Sequence, residues 1–166
     1  MADRPGRADR CGVLTLSDKG SRGEREDTSG PLLQEMLQGA GFAVAAYEVI
    51  PDQGELIVTT LEQWADERRL DLIVTTGGTG VAPTDRTPEA TRRVIATEVP
   101  GLAEAMRQAS LAKTVQAVWS RGIAGFRGNC LIVNLPGSRK ATRENLEALL
   151  PALAHGIEKL QGGQAD

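Results

Sequence analysis

The sequence predicts a three-layer, doubly wound α/β domain: a mostly parallel sheet with helices on both faces. Short apolar runs bounded by Gly, Pro and Asp alternate with stretches whose apolar residues recur at helical spacing. Repeated strand–loop–helix units of this kind are satisfied by a parallel sheet covered on both sides. The length of 166 residues suits one ordinary domain, and the 40% hydrophobic content supplies a core. With only 3% aromatic residues, that core is built from Leu, Val, Ile and Ala.

Residues 1–10 are charged and lack an apolar signal segment, so they are expected to form a flexible tail before a single domain over 11–166. Gly12-Val13-Leu14-Thr15-Leu16 reads as the first buried strand, followed by a polar loop from Ser17 to Asp27. Thr28-Ser29-Gly30-Pro31 opens a helix with Leu32, Leu33, Met36 and Leu37 on one face, ended by Gly39 and Gly41. Ala43 to Ile50 is the second strand, closed by Pro51-Asp52, and the next helix carries Leu56, Ile57, Leu61 and Trp64. Asp71 to Thr75 is the third strand.

Thr87 is expected to cap the following helix, with Pro88 at its first position, and the helix to run to about Thr97. Pro100-Gly101 starts another, marked by Leu102, Ala105, Met106 and Ala109. Ala117 to Phe126 and Asn129 to Asn134 read as two strands joined tightly at Arg127-Gly128. The last helix has the stripe Leu146, Leu149, Leu150, Leu153, Ile157 and Leu160, which Pro151 is expected to kink or split.

Composition removes several function classes. The net charge of −3 provides no basic field for nucleic acid or an anionic membrane. No apolar run reaches the ~20 residues needed to span a bilayer. Cys11 and Cys130 stand in no metal or redox spacing and read as small buried residues of a cytoplasmic protein. The single histidine, His155, lies late in the last helix, so a histidine-based zinc site, a Ser-His-Asp triad and a histidine general base would all depend on it. Glycine occurs 19 times in 166 residues, above the usual share of ~7%, and the surplus sits in loops.

Doubly wound sheets bind ligands at the C-terminal edge of their strands. The suspicious loops fall on that rim: Ser17-Asp18, Pro51-Asp52, Gly77 to Asp85, and Asn134 to Ser138. The run Thr75-Thr76-Gly77-Gly78-Thr79-Gly80 stands out, because bare glycines let backbone N–H groups turn toward an anion. With the helix start at Thr87-Pro88 behind it, the loop is a ready phosphate site. It is neither a Walker A motif, since no Lys-Ser or Lys-Thr follows Gly80, nor the dinucleotide G-x-G-x-x-G. Asp18, Asp52 and Asp85 end separate crossover segments, and oxygen-only ligation with retained water suits Mg²⁺ beside substrate phosphates. Taken singly, Asp52 reads first as an N-cap for the helix that follows, and Asp18 similarly. Ser17, Ser110 and Ser138 read as ligand donors or as cap and turn residues. Arg121 reads as a cation at the rim or as a surface ion pair.

Together these motifs resemble the molybdopterin adenylyltransferase family, the MoaB/Mog type of molybdenum cofactor biosynthesis protein. The resemblance runs from Cys11 to Leu160. It rests on Leu14 to Asp18, Asp27 to Pro31, Val49 to Asp52, Thr75 to Gly80 with Asp85 to Ala90, Pro100-Gly101 to Ser110, Ser120-Arg121-Gly122 and Asn134 to Ser138. It implies the fold of those proteins, a homotrimer, and Mg²⁺- and ATP-dependent adenylylation of molybdopterin with release of pyrophosphate, ahead of a metal-insertion protein.

By motif, Asp52 and Asp85 fall on the catalytic, metal-linked carboxylates. Gly77, Gly78, Thr79 and Gly80 fall on the ligand-binding loop and Ser110, Asn134, Pro136, Gly137 and Ser138 on the remaining pocket, while Ser17, Asp18, Pro88 and Arg121 stand beside them as candidate nucleotide- or substrate-binding residues. Two positions depart from the family: Thr84 stands where Arg usually precedes the aspartate, with Arg86 after it instead, and Arg139 stands where Pro is common. The competing readings are a non-catalytic molybdopterin-binding module of the same fold and, from the loop alone, a nucleotide-binding oxidoreductase. Glycine spacing and the lack of a proton-transfer histidine speak against the latter.

Overall fold

The structure, a computed structural model, describes residues 7–162. Residues 1–6 of the expected tail lie outside the described residues, and Arg10 already belongs to the first strand. The strands are β1 Arg10–Leu16, β2 Ala43–Ile50, β3 Leu72–Thr76, β4 Thr97–Glu98, β5 Ala124–Arg127 and β6 Cys130–Leu135. The helices are α1 Asp18–Ser21, α2 Ser29–Gly39, α3 Gly54–Asp66, α4 Thr87–Val94, α5 Pro100–Leu111 and α6 Arg139–Leu160. The sheet order is β2-β1-β3-β6-β5-β4. β2, β1, β3 and β6 are mutually parallel, and β5 alone runs against them, since β4 is antiparallel to β5 in turn.

Strand alternation sorts the core into the two layers. Cys11, Val13, Val74 and Val133 face α2, α5 and α6, where they meet Leu33, Met106 and Leu146. Leu14, Leu16, Ile73 and Ile132 face α3 and α4, where they meet Ile57, Leu61, Trp64 and Val94. Gly12 of β1 sits under the Trp64 ring, and a Cβ there would lie 2.7 Å from the indole. Cys11 and Cys130 are free and buried, one on each face, and burial pushes both thiols up to about 12.

Several expected boundaries are corrected. The strand expected from Ala117 begins only at Ala124, because residues 115–119 form a 3₁₀ turn capped by the Thr114 hydroxyl, which accepts from Gln116 N–H. The extended link 120–123 leads into β5. The edge strand β4 is only a pair of residues long, below what sequence periodicity can register. α4 ends at Val94 rather than near Thr97. α6 continues through Pro151 without dividing, because its buried stripe of Leu146, Leu149, Leu153 and Ile157 packs on both sides of the proline. Among the described residues no helix is long and apolar enough to cross a membrane.

Candidate functional site

The chain passes from β1 through α2 to β2 on one side, then through α3 to β3 on the other, so the sheet order reverses between β1 and β3. The C-terminal ends of those two strands flank the crevice of a doubly wound sheet. Ser17 follows β1 and Gly77 follows β3.

At the β1 end, Ser17 Oγ accepts from Gly20 N–H at 2.9 Å and caps the short helix α1. The expected polar loop thus begins with a turn of helix. Asp18 Oδ1 accepts from Asp52 N–H at 2.9 Å and ties the β1 end to the β2 end. Asp52 is not a helix cap; Gln53 holds the N-cap position of α3. Asp52 Oδ1 is instead buried without a hydrogen-bond partner. Burial first, and then the Asp18 and Asp85 carboxylates, push the Asp52 carboxyl up to about 6. Asp18 and Asp85 therefore each lie close enough to Asp52 to act on it electrostatically.

At the β3 end, Gly77 and Gly78 take φ of +99° and +68°, the left-handed region that favours glycine. A Cβ on Gly78 would lie 2.2 Å from Thr87 Oγ1 and 2.9 Å from Asp52 Oδ1, so Gly78 is packed between the α4 start and the buried carboxylate. Thr87 is not the cap of α4, as its spacing suggests. Arg86 takes that place, while Thr87 Oγ1 donates to Gly77 O at 3.0 Å and Thr87 N–H to Gly78 O at 3.1 Å. Among the described residues, Gly78, Thr79 and Gly80 make no backbone hydrogen bonds through their N–H groups. Asp85 Oδ2 accepts from Ala82 N–H at 2.9 Å and lies under Gly80, whose Cβ would come within 2.8 Å of it.

At the β6 end, Gly137 approaches Gly77 so closely that a Cβ would stand 3.3 Å from the Gly77 Cα. Pro136 O accepts from the Thr76 and Thr142 hydroxyls at 2.6 and 2.7 Å. Ser138 Oγ accepts from Ala141 N–H at 3.2 Å and caps α6.

Two clefts open on this rim. One, of about 320 Å³, is lined by Ser17, Gly77, Gly137 and Ser138 together with Thr15, Arg25, Asp27 and Ser29. The other, of about 580 Å³, is lined by Asp85 and Arg86 with Glu55, Glu89 and Arg93. Asp27 is not singled out by the sequence reading as a site residue. Its carboxylate accepts from Thr15 Oγ1 at 2.8 Å, from Gly30 N–H at 3.0 Å and from the Tyr47 hydroxyl, which anchors it in the first cleft. The loss of solvent and the contact with the carboxylate hold the Tyr47 phenol above its ordinary range. The signal for Asp27 in the sequence is an acidic residue three positions before Gly30-Pro31, a spacing that presents a carboxylate to a helix N-terminus.

Other expected site residues are placed elsewhere. Asn134 is buried, donates to Thr75 and Thr91 hydroxyls at 3.1 and 2.9 Å and accepts from Ile123 N–H at 3.3 Å, so its amide is consumed inside the fold. Ser110 is buried and accepts from Asn145 at 2.6 Å, between α5 and α6. Pro88 is buried in the first turn of α4. Arg121 turns its guanidinium onto the glycine loop itself. His155 is exposed on α6.

Among the described residues, no three His, Cys, Asp or Glu side chains are gathered as a ready metal cage. Asp52 and Asp85 nevertheless suit a hard cation. One contributes a buried oxygen with no partner, and the other lies near enough to raise the pKa of the first. Mg²⁺ commonly takes one or two carboxylates and fills its remaining positions with water and substrate phosphate.

The titration of Asp52 has a measurable consequence. Its proton is held more tightly in the folded protein, at about 6 against an ordinary 3.8. The stability linked to that proton is fully present below the unfolded pKa and is lost as pH rises through about 6. In chelator, urea unfolding between about pH 4 and about pH 7 is expected to show wild-type stability falling relative to Asp52→Asn, which carries no titrating proton. Parallel profiles for the two proteins would contradict this assignment.

A family model described as probable molybdopterin binding domain matches residues 12–155. The molybdopterin adenylyltransferase of Helicobacter pylori J99 is 44% identical over 153 residues, spanning 91% of this chain and 87% of that protein. The crystal structure of the molybdopterin biosynthesis enzyme MoaB from Thermus thermophilus superposes with a TM-score of 0.88 at 56% identity, over 93% of this chain and 97% of the other. The molybdopterin biosynthesis Mog protein of Mycobacterium ulcerans gives 0.87 at 38% identity, over 95% and 99%.

Proposed function

The chain belongs to the family of probable molybdopterin binding domains, and from that premise we propose that it is a molybdopterin adenylyltransferase acting in molybdenum cofactor biosynthesis. The observation that carries the reading is the partnerless, buried Asp52 oxygen, coupled to Asp85 beneath an amide-bearing glycine loop. As one domain whose first strand begins at Arg10, it acts as a homotrimer in the cytoplasm and passes its product to a metal-insertion protein.

In the reaction, a terminal phosphate oxygen of molybdopterin attacks the α-phosphorus of ATP. A new P–O bond forms, the bond to the bridging oxygen of the β-phosphate breaks, and pyrophosphate leaves. The nucleophile is already largely ionised near neutral pH. No general base is required, which agrees with an exposed His155 on α6. What such a transfer needs is alignment of the reacting groups and screening of two anions.

The amides of Gly78, Thr79 and Gly80 are the loop's donors for phosphate, and the left-handed turns at Gly77 and Gly78 leave no side chain in their way. The α6 N-terminus, with Ser138 and Gly137 at its mouth, adds a second positive dipole end to the first cleft. Asp52 and Asp85 would hold Mg²⁺, which supplies charge neutralisation of the triphosphate when bound. Arg86 lines the second cleft beside Asp85, giving phosphate a guanidinium where Thr84 has none to offer.

Purified protein incubated with ATP, Mg²⁺ and molybdopterin is expected to release pyrophosphate and to sediment as a trimer. Tight molybdopterin binding without any pyrophosphate would replace the enzyme with a binding module of the same fold.

A further inference from the structure

The loop that carries Asp85 is fastened at both ends by a single residue outside it. Arg121 lies in the extended link before β5, and its backbone N–H donates to Thr79 O at 2.8 Å. Its Nε donates to Gly80 O at 2.7 Å and its Nη2 to Asp85 O at 3.1 Å, while Nη1 pairs with Glu89. Between those two carbonyls the chain makes an exposed excursion through Val81, Ala82, Pro83 and Thr84. Inside it the Asp85 carboxylate accepts from Ala82 N–H, and Asp85 N–H returns to Ala82 O at 2.9 Å.

These contacts give Arg121 one mechanical effect. Two carbonyl oxygens brought to one side of a loop repel each other unless a donor sits between them. A planar guanidinium offers donors in the fork needed to bridge both, and a charged donor makes each bond stronger than a neutral one. Nε and both terminal nitrogens are engaged on the loop and on Glu89.

We propose that Arg121 is a positioning residue: by clamping Gly80 O and Asp85 O together, it fixes the direction of the Asp85 carboxylate beside Gly80, and it does not itself bind substrate. This rests on the adenylyltransferase reading for its kinetic consequence but not for its structural one.

The test uses the full chain carrying Arg121→Ala or Arg121→Lys. Hydrogen–deuterium exchange is expected to speed up about tenfold or more in peptides covering 79–86 of Arg121→Ala, with β1, β3 and α6 unchanged. Pyrophosphate release is expected to fall about 10²-fold in kcat while the KM for molybdopterin stays within about threefold. Arg121→Lys keeps the charge and the fold but cannot bridge both carbonyls, so it is expected to remain defective in kcat and mobile in the loop.

Unaltered exchange in 79–86 would overturn the clamp. A loss confined to KM would make Arg121 a substrate ligand, and full activity in the lysine variant would show that a point charge suffices. A wild-type protein without turnover would refute the adenylyltransferase reading, and the exchange measurements would still decide the clamp.

Discussion

Asp85→Asn is expected to lower pyrophosphate release by about 10³-fold while the protein stays folded. The expected magnitude follows from what the substitution removes. Asn is nearly isosteric with Asp and keeps an acceptor for Ala82 N–H, so the turn that Asp85 closes is retained. What disappears is the negative charge that repels the Asp52 carboxylate across the rim and, in the proposed enzyme, helps hold the cation. Loss of a fixed charge aimed at a developing charge is worth about 3–4 kcal/mol. Steady-state pyrophosphate release and thermal unfolding of the same preparation check both halves. Turnover within about threefold of wild type would remove Asp85 from the chemistry.

Gly78→Val is expected to weaken both nucleotide and molybdopterin binding severely, by a route that only the structure reveals. From the sequence, a side chain at this glycine fills space that a ligand approaches. In the fold that space is already occupied by Thr87 Oγ1 and Asp52 Oδ1, at 2.2 and 2.9 Å from the position of a Cβ. The residue also holds φ of +68°, where a β-branched side chain is strained. The strain alone costs about 1–3 kcal/mol, and the overlap adds to it. The loop must therefore move as a body, breaking the bonds from Thr87 to Gly77 O and Gly78 O. Binding titrations are expected to show an affinity loss of about 10²-fold or more, with a lowered unfolding midpoint. Wild-type affinity with an unchanged midpoint would show that the turn tolerates a side chain and that its geometry is not part of the site.

Much of the architecture was legible in the chain. The apolar runs at 12–16, 43–50, 71–75 and 129–134 all became strands of one sheet, because runs bounded by turn residues have few alternatives to a buried strand. Pro100 and the stripe of α6 fixed helices for equally local reasons. The failures were local too. Ala117-Val118-Trp119 read as the start of a strand, yet a threonine cap and a tight turn claimed them. Pro151 carries a strong breaking tendency, which continuous packing on both sides overrode.

The rim was foreseen as a set of loops, but not how each polar group on it is used. Asp52 and Asn134 look alike as polar residues ending strands. One is left with an unpartnered oxygen, and the other is satisfied by Thr75, Thr91 and Ile123. No feature of either residue's neighbourhood along the chain separates those outcomes. Arg121 likewise read as a rim cation or a surface ion pair; it does pair with Glu89, but its hold on the loop carbonyls depends on partners far away in sequence.

The order of strands and helices, the faces that go inward and the residue types offered at the rim were written in the sequence itself, since periodicity and turn chemistry act over a few neighbouring positions. Tertiary structure alone decided which of those rim groups are consumed as struts and which remain available. That outcome depends on segments tens of residues apart meeting at one sheet edge, where each donor and acceptor is taken by whatever the fold brings within about 3 Å.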